Sequence, residues 1–114
     1  MKKCIRVMKA LSDPNRVKIV KMLGNKELCV CELTALLGLA QSTVSKHLRL
    51  LEDAGLVSSK REGAWVNYCL ADGRDSPYAQ AMLAHLEEWL VDDDEVQQIL
   101  AHIPQVDRER IRVA

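Results

Sequence analysis

Apolar residues recur every three or four positions in six segments of the chain, and this period predicts helices. The segments are residues 3–11, 14–23, 30–37, 42–54, 77–91 and 94–103. Asp13 comes directly before Pro14, a pair typical of a helix start, because Asp accepts hydrogen bonds from free backbone amides and Pro suits the first helical position. The pattern predicts a mainly α-helical protein.

Between the fourth and fifth helices the period changes to two. Residues 57–60 and 65–70 alternate as strands do, and the loop Arg61-Glu62-Gly63-Ala64 between them contains a glycine, so a β-hairpin is expected. Two short helices, a Gly-containing turn and a following hairpin make a winged helix-turn-helix. The expected fold class is therefore mainly α with a β-hairpin wing. It forms one domain over 1–114, with its core at about 5–103 and a polar tail at 105–114.

The second helix of this pair has one apolar face and one face suited to DNA. Val44, Leu48 and Leu51 form a stripe directed toward the core. The opposite face carries hydroxyls and cations, which contact base edges or phosphates in a major groove, and the hairpin adds cations for the flanking backbone. The predicted DNA contacts are Gln41, Ser42, Thr43, Ser45, Lys46, His47, Arg49, Lys60 and Arg61.

Charge is distributed unevenly, although the net charge is zero. Residues 1–70 contain twelve Lys and Arg against six Asp and Glu, whereas residues 71–114 contain four against ten. This asymmetry indicates an anionic partner on one face only. We interpret the acidic run within residues 87–95 as a solvated face.

The sequence excludes several classes of protein. No run approaches the roughly 20 apolar residues that span a bilayer, and no signal peptide precedes the first helix, so a cytoplasmic location without membrane contact is expected. In that compartment the four cysteines, Cys4, Cys29, Cys31 and Cys69, are free thiols or ligands. The chain lacks a Gly-rich phosphate loop and a His/acid arrangement near a nucleophile, so an enzyme with a substrate of its own is not expected.

Four segments resemble the ArsR/SmtB family of metal-sensing repressors. They are Ala10-Leu-Ser-Asp-Pro-Asn-Arg16, Glu27-Leu-Cys-Val-Cys-Glu-Leu33, Gln41-Ser-Thr-Val-Ser-Lys-His-Leu48 and Gly63-Ala-Trp-Val-Asn-Tyr68. The resemblance implies a homodimer, built on the first and last helices, that binds an imperfect palindrome in double-stranded operator DNA. One departure is Ala40, where many relatives have a Ser that caps the recognition helix; we expect Ser42 to compensate in part.

The resemblance also implies a sensor site at Cys29-Val30-Cys31, as in the arsenic and cadmium/lead branches of the family. A helix N-terminus favours thiolate over thiol, and thiolates select soft ions. However, residues i and i+2 on a regular helix point about 200° apart. Both sulfurs can hold one ion only if Cys29 lies before the first turn or the turn distorts.

Two cysteines are candidates for the third ligand. Some arsenic repressors carry a third Cys at the position of Thr34. Cys4 resembles N-terminal cysteines that, in the cadmium/lead branch, reach the other subunit's pair, whereas Cys69 ends a strand and is expected to be packed. We favour Cys4, which gives Cys4, Cys29 and Cys31 as the metal ligands.

Three interpretations of the regulation remain open. The first is a repressor that leaves its operator when As(III) or Sb(III) binds, and the second is a sensor of Cd(II) or Pb(II). The third is a redox switch in which Cys29 or Cys31 is oxidised. Zinc sensing through His85 is not expected, because His85 shares an apolar helix face with Met82 and Trp89.

Overall fold

The structure, a computed structural model, describes residues 1–106, and its helices follow the predicted order. The elements are α1 Lys2–Ala10, α2 Pro14–Asn25, β1 Leu28–Cys29, α3 Val30–Leu37, α4 Gln41–Asp53, β2 Val57–Glu62, β3 Trp65–Leu70, α5 Pro77–Glu88 and α6 Asp94–His102, with a 3-10 turn at Ile103–Gln105. Residues 107–114 of the predicted tail lie outside the described residues. None of the described helices combines the length and the apolar character that crossing a bilayer requires.

The core forms where the apolar stripes of the central helices meet. Ile19 and Met22 of α2, Leu33 of α3, and Leu48 and Leu51 of α4 are all fully buried. The predicted start of α2 is confirmed, because the carboxylate of its N-terminal Asp accepts hydrogen bonds from the first free amides of the helix, at 2.8 and 3.3 Å. The buried side chains named above fix α3 and α4 against the body of the domain.

The hairpin is confirmed, but it belongs to a larger sheet than the sequence predicted. In the described residues the sheet has three antiparallel strands in the order β1-β3-β2. The added strand β1 pairs Leu28 with Tyr68 and Cys29 with Asn67. The wing is therefore hydrogen-bonded to the segment that leads into α3.

The first wing strand is also longer than predicted, whereas β3 has the predicted bounds. β2 continues through Glu62, so the turn consists of Gly63 and Ala64, and Gly63 adopts a φ of 62°. Placing Arg61 in the loop was therefore wrong, because Arg61 pairs with Val66 in the ladder. A left-handed Gly lets two residues close the hairpin.

The fifth helix ends at Glu88, three residues earlier than predicted. Lys21 Nζ donates to the carbonyl oxygens of Leu86 and Trp89, at 2.6 and 2.8 Å, and Leu90 reverses the chain with a φ of 66°. A cation at the carbonyl end of a helix is favourable. His85 is exposed in one protomer, and its ring stacks on Trp89 at a centroid distance of 4.8 Å; its packing at an interface stays a prediction.

The recognition helix α4 begins without a side-chain cap. Ala40 is its N-cap residue, and among residues 1–106 no side chain is shown to accept a hydrogen bond from the first amides, so the expected compensation by Ser42 was wrong. Ala40 has φ −67° and ψ 145°, the extended conformation in which a Ser hydroxyl reaches those amides.

Substituting Ala40→Ser should raise the free energy of unfolding by about 1 kcal/mol, because it supplies an acceptor for an unsatisfied helical amide. Chemical denaturation followed by circular dichroism measures the change. The same substitution at the exposed mid-helix Ala35 is the control and should be neutral or slightly destabilising. Equal effects at the two positions would contradict the capping argument.

Candidate functional site

Cys29 and Cys31 meet at the junction between β1 and α3. Cys29 is the N-cap residue of α3, with φ −86° and ψ 167°, so its side chain leaves the backbone before the first helical turn. The two Sγ atoms lie 2.7 Å apart, and both residues are free thiols. The predicted condition for joint ligation, that Cys29 precede the first turn, is confirmed.

A reciprocal cap holds this junction in place. The backbone N–H of Cys29 donates to Glu32 Oε1 at 2.9 Å, while the Cys29 side chain faces the backbone amide of Glu32. Glu32 is buried, which makes its hydrogen bond costly to break. We did not predict this role for Glu32, although its position three residues after an N-cap residue is the spacing of a capping box.

The Cys29 thiol is strongly protonated, contrary to the expectation of a thiolate. Burial raises its pKa to about 12, and the hydrogen bond with Cys31 and the Glu32 carboxylate act in the same direction. The Glu32 backbone amide lowers the pKa, but by less than these effects raise it. The helix-dipole argument was wrong here because desolvation of a buried thiolate outweighs the partial charge of a helix end.

The pair has no third ligand within residues 1–106 of one protomer. Among residues 1–106, no group of three His, Cys, Asp or Glu side chains is placed to hold a metal ion. Cys4 lies in α1, which packs on α4 and α5. Cys69 lies in β3 with its Sγ 3.3 Å from Ser58 Oγ, and the pairing of Cys29 with Asn67 makes it a diagonal neighbour of Cys29.

Thr34 lies one helical turn after Cys31, and its hydroxyl is a buried polar group of the kind that normally has a hydrogen-bond partner. The Oγ1 atom is buried and has no hydrogen-bond partner in the described residues. Residues three apart are neighbours on a helix surface, so Thr34 is on the same side of α3 as Cys31.

The predicted DNA-binding side chains form an exposed face of α4. Gln41, Ser42, Thr43, Ser45, Lys46 and Arg49 are all exposed, while Val44, Leu48 and Leu51 are buried as predicted. His47 is half-buried, with its Nδ1 3.1 Å from Arg16 Nη1. The outer face of α4 is therefore free to enter a groove.

The two wing cations, Lys60 and Arg61, are also exposed, and both lie in β2. Lys60 Nζ is 3.4 Å from Glu27 Oε2. An exposed ion pair of this kind contributes little free energy, so the Lys60 ammonium can exchange Glu27 for a phosphate. The pair also connects the wing to the residue that precedes β1.

This fold and these two sites define a winged helix-turn-helix DNA-binding regulator with a thiol pair at the helix before its recognition helix. Residues 13–59 match the family model described as "Bacterial regulatory protein, arsR family". The chain is 36% identical over 102 residues to the arsenical resistance operon repressor of Escherichia coli (strain K12), which covers 87% of this chain and 83% of that protein. The chain belongs to the ArsR family, a family of regulatory proteins rather than enzymes.

Two further proteins are similar. A cadmium resistance transcriptional regulatory protein CadC homolog from Staphylococcus aureus is 38% identical, covering 73% of this chain and 69% of that protein. The homodimeric winged helix-turn-helix DNA-binding domain of a possible ArsR-family regulator from Mycobacterium bovis superposes with a TM-score of 0.65. It is 30% identical and covers 85% of this chain and 84% of that domain.

Cys29 should be alkylated slowly in the native protein, with a rate that keeps rising with pH above the ordinary thiol pKa of 9.0, because its own pKa is about 12. Iodoacetamide labelling followed by peptide mass spectrometry measures the rate at each cysteine. Glu32→Gln keeps an oxygen acceptor but removes the carboxylate charge, so it should shift the Cys29 profile to lower pH. A Cys29 rate that levels off near 9 in the native protein would contradict the raised pKa.

Proposed function

We propose that the protein is a cytoplasmic repressor that binds operator DNA as a homodimer and dissociates when As(III) or Sb(III) binds Cys29 and Cys31. The observation that carries this proposal is the sulfur pair, 2.7 Å apart at the first turn of α3. Soft thiolate ligands select such ions over Mg²⁺ or Ca²⁺. The name of the Escherichia coli relative, an arsenical resistance operon repressor, supports the same inducer.

The outer face of α4 supplies the proposed contacts with the major groove, and the wing supplies contacts with the flanking phosphates. The exposure of the α4 side chains and of Lys60 and Arg61 supports this assignment. Hydroxyl and amide groups near the start of α4 read base edges, while the cations neutralise phosphates. His47 is half-buried, and its proposed contact with DNA uses the edge of the ring that does not face Arg16.

Exposed apolar side chains support a homodimer. Ile5 and Met8 of α1 are 41% and 63% exposed, although they occupy the apolar positions of an amphipathic helix. Tyr78 and Trp89, at the two ends of α5, are also about half exposed. Exposed apolar surface of this kind marks interaction sites. The Mycobacterium bovis domain, which is homodimeric, supports the same assembly here.

The partner subunit supplies the third thiolate, Cys4, in this proposal. The absence of a third ligand within residues 1–106 of one protomer supports a ligand from the other subunit. The location of Cys4 in α1, beside the exposed apolar residues, supports the same assignment. Cys69, the diagonal neighbour of Cys29, is the competing candidate.

Inducer binding acts on DNA through α3 in this proposal. A metal–sulfur distance of about 2.3 Å requires the two sulfurs to lie within about 4.6 Å of each other, which this pair already satisfies. Binding also withdraws the Cys29 sulfur from the Glu32 amide that it faces. Because α3 packs directly on α4, a changed first turn of α3 alters the orientation of the recognition helix.

A Cd(II)- or Pb(II)-sensing repressor is the second candidate, because three or four sulfurs also suit these ions and the Staphylococcus aureus relative is a cadmium resistance regulator. A redox switch is the third, supported by the short separation of the two Sγ atoms. A peroxide would oxidise both thiols to a disulfide and be reduced to water, taking up the two thiol protons.

The decisive experiment measures release of a fluorescent DNA duplex, selected by the wild-type protein from a randomised pool, against As(III), Sb(III), Cd(II), Pb(II), Zn(II) and peroxide. As(III) should weaken binding by about 5–150-fold in the wild type, the usual range of allosteric coupling. Cys29→Ser and Cys31→Ser should bind the duplex normally but not be released by As(III). Release that persists in the double variant would overturn the proposal.

The remaining cysteine variants identify the third ligand. Cys4→Ser should be unresponsive, and Cys69→Ser should respond as the wild type does. The reverse pattern would assign the third sulfur to Cys69. Release by Cd(II) or by peroxide, but not by As(III) or Sb(III), would select one of the other two functions.

Thr34→Cys should restore As(III) release to the Cys4→Ser variant, because it places a sulfur one turn after Cys31 on the same side of α3. The exchange costs little stability, since Thr34 Oγ1 has no hydrogen-bond partner to lose in the described residues. Thr34→Ser in the same background keeps the hydroxyl and should not restore release. Anisotropy titrations of both double variants measure the difference, and equal behaviour would contradict the geometry.

A further inference from the structure

Arg16 joins three helices through one side chain. It lies in the first turn of α2, where its Nε donates to Ala10 O at 2.7 Å and its Nη2 donates to Lys9 O at 3.3 Å. These carbonyls end α1, so the guanidinium also interacts favourably with the negative end of that helix. The remaining branch, Nη1, reaches His47 Nδ1 on the recognition helix at 3.1 Å.

The Arg16 contact identifies Nδ1 as the accepting nitrogen of the His47 ring. A guanidinium has only donors, so Nδ1 must be the acceptor and carry no proton. The imidazole is then neutral, with its proton on Nε2. An imidazolium would present a donor to a donor and a second positive charge to the guanidinium.

The charges near His47 come from Asp13 and Arg16 of the α2 start and from α4 itself. Asp13, at the N-cap of α2, accepts from the backbone amides of Asn15 and Arg16. Burial opposes ionisation of Asp13, but these amides, the Arg16 charge and the nearby His47 ring lower the pKa of its carboxyl overall. The carboxylate therefore balances the guanidinium, and on α4 itself the neighbouring cations Lys46 and Arg49 are exposed and directed to the outer face.

The Nε2–H group of His47 is left available. The ring makes no other hydrogen bond in the described part of the chain, and the residue is half-exposed on the helix that carries the DNA-binding face. A neutral imidazole with a fixed tautomer presents a single directed donor to a phosphate or a base edge.

We propose that Arg16 is a positioning residue for DNA binding: it contacts no DNA, and it holds His47 as a neutral ring whose Nε2–H donates to the duplex. This inference rests on the proposed DNA-binding function. It predicts that Arg16 and His47 act as one unit and that the Arg16 charge does not neutralise a phosphate.

A double-variant cycle with Arg16→Gln and His47→Ala tests the unit, using the duplex selected by the wild-type protein. Each single variant should weaken binding about tenfold, the loss expected for about 1.4 kcal/mol, and the double variant should be no weaker than either. Losses that multiply would overturn the proposal. His47→Asn keeps an acceptor for Arg16, but its amide nitrogen stops short of the Nε2 position, so it should bind as weakly as His47→Ala.

The salt dependence of binding separates positioning from phosphate contact. Arg16→Gln should leave the slope of log affinity against log salt unchanged, whereas the matched control Arg49→Gln, at an exposed cation of α4, should flatten it by about one unit. A flattened slope for Arg16→Gln would make Arg16 a phosphate ligand and overturn the proposal. A wild type that selects no duplex at all would defeat the proposed function instead.

The tautomer of His47 can be measured on the metal-free wild type, so this test does not depend on whether a variant folds. Long-range proton–nitrogen NMR spectra of the His47 ring should show the tautomer protonated at Nε2, and Arg16→Gln should shift the ring toward a mixture. A wild-type ring protonated at Nδ1 would overturn the proposal whatever the affinities of the variants.

Discussion

The hydrogen bond between the Cys29 amide and the buried Glu32 carboxylate determines how the rest of the molecule is arranged. It ends β1 and begins α3 at the same residue. On one side of the junction, β1 is paired with the wing strand β3; on the other, α3 packs on the recognition helix. Both elements proposed to contact DNA are thus attached to the residue proposed as the first sulfur ligand.

The junction also explains why the two sulfurs can meet. Inside a regular helix, side chains at i and i+2 point to opposite sides. The extended backbone of Cys29 frees its side chain from that constraint, and the two Sγ atoms come within 2.7 Å. The Cys29 thiol is buried at this junction, and burial, the hydrogen bond with Cys31 and the Glu32 carboxylate keep it protonated. A ligand must therefore displace a proton as well as bind sulfur, which disfavours ions that bind thiolate weakly.

Much of the fold could be predicted from the sequence, because it depends on local patterns. The stripe of Val44, Leu48 and Leu51 and the cap at Asp13 needed no knowledge of distant residues. Strand β1 could not be predicted, since two residues have no period and their partners are about forty positions away in β3. The early end of α5 was missed because Trp89 continues the apolar spacing, while the Lys21 contacts that end the helix come from α2.

The residues of the candidate site could be predicted from the sequence, but the protonation of Cys29 could not. The Cys-Val-Cys motif identified the pair. Helix geometry predicted that both sulfurs can bind one ion only if Cys29 precedes the first turn or the turn distorts. Protonation of Cys29 depends on burial and on the Glu32 carboxylate, neither of which sequence order reveals. The Arg16–His47 bond likewise joins residues 31 positions apart, and only the packing of α2 against α4 shows it.

The energy available at the junction is of the size that regulation requires. Loss of an N-terminal cap costs a helix about 1 kcal/mol. In the proposed mechanism, a homodimer that loses this cap in both subunits loses about 2 kcal/mol of the stability of the arrangement that binds DNA, within the 1–3 kcal/mol typical of allosteric coupling. Linkage makes the effect reciprocal, so bound DNA weakens inducer binding by the same factor. In the proposed mechanism, a change confined to this capped turn in each subunit is thus sufficient to release the operator.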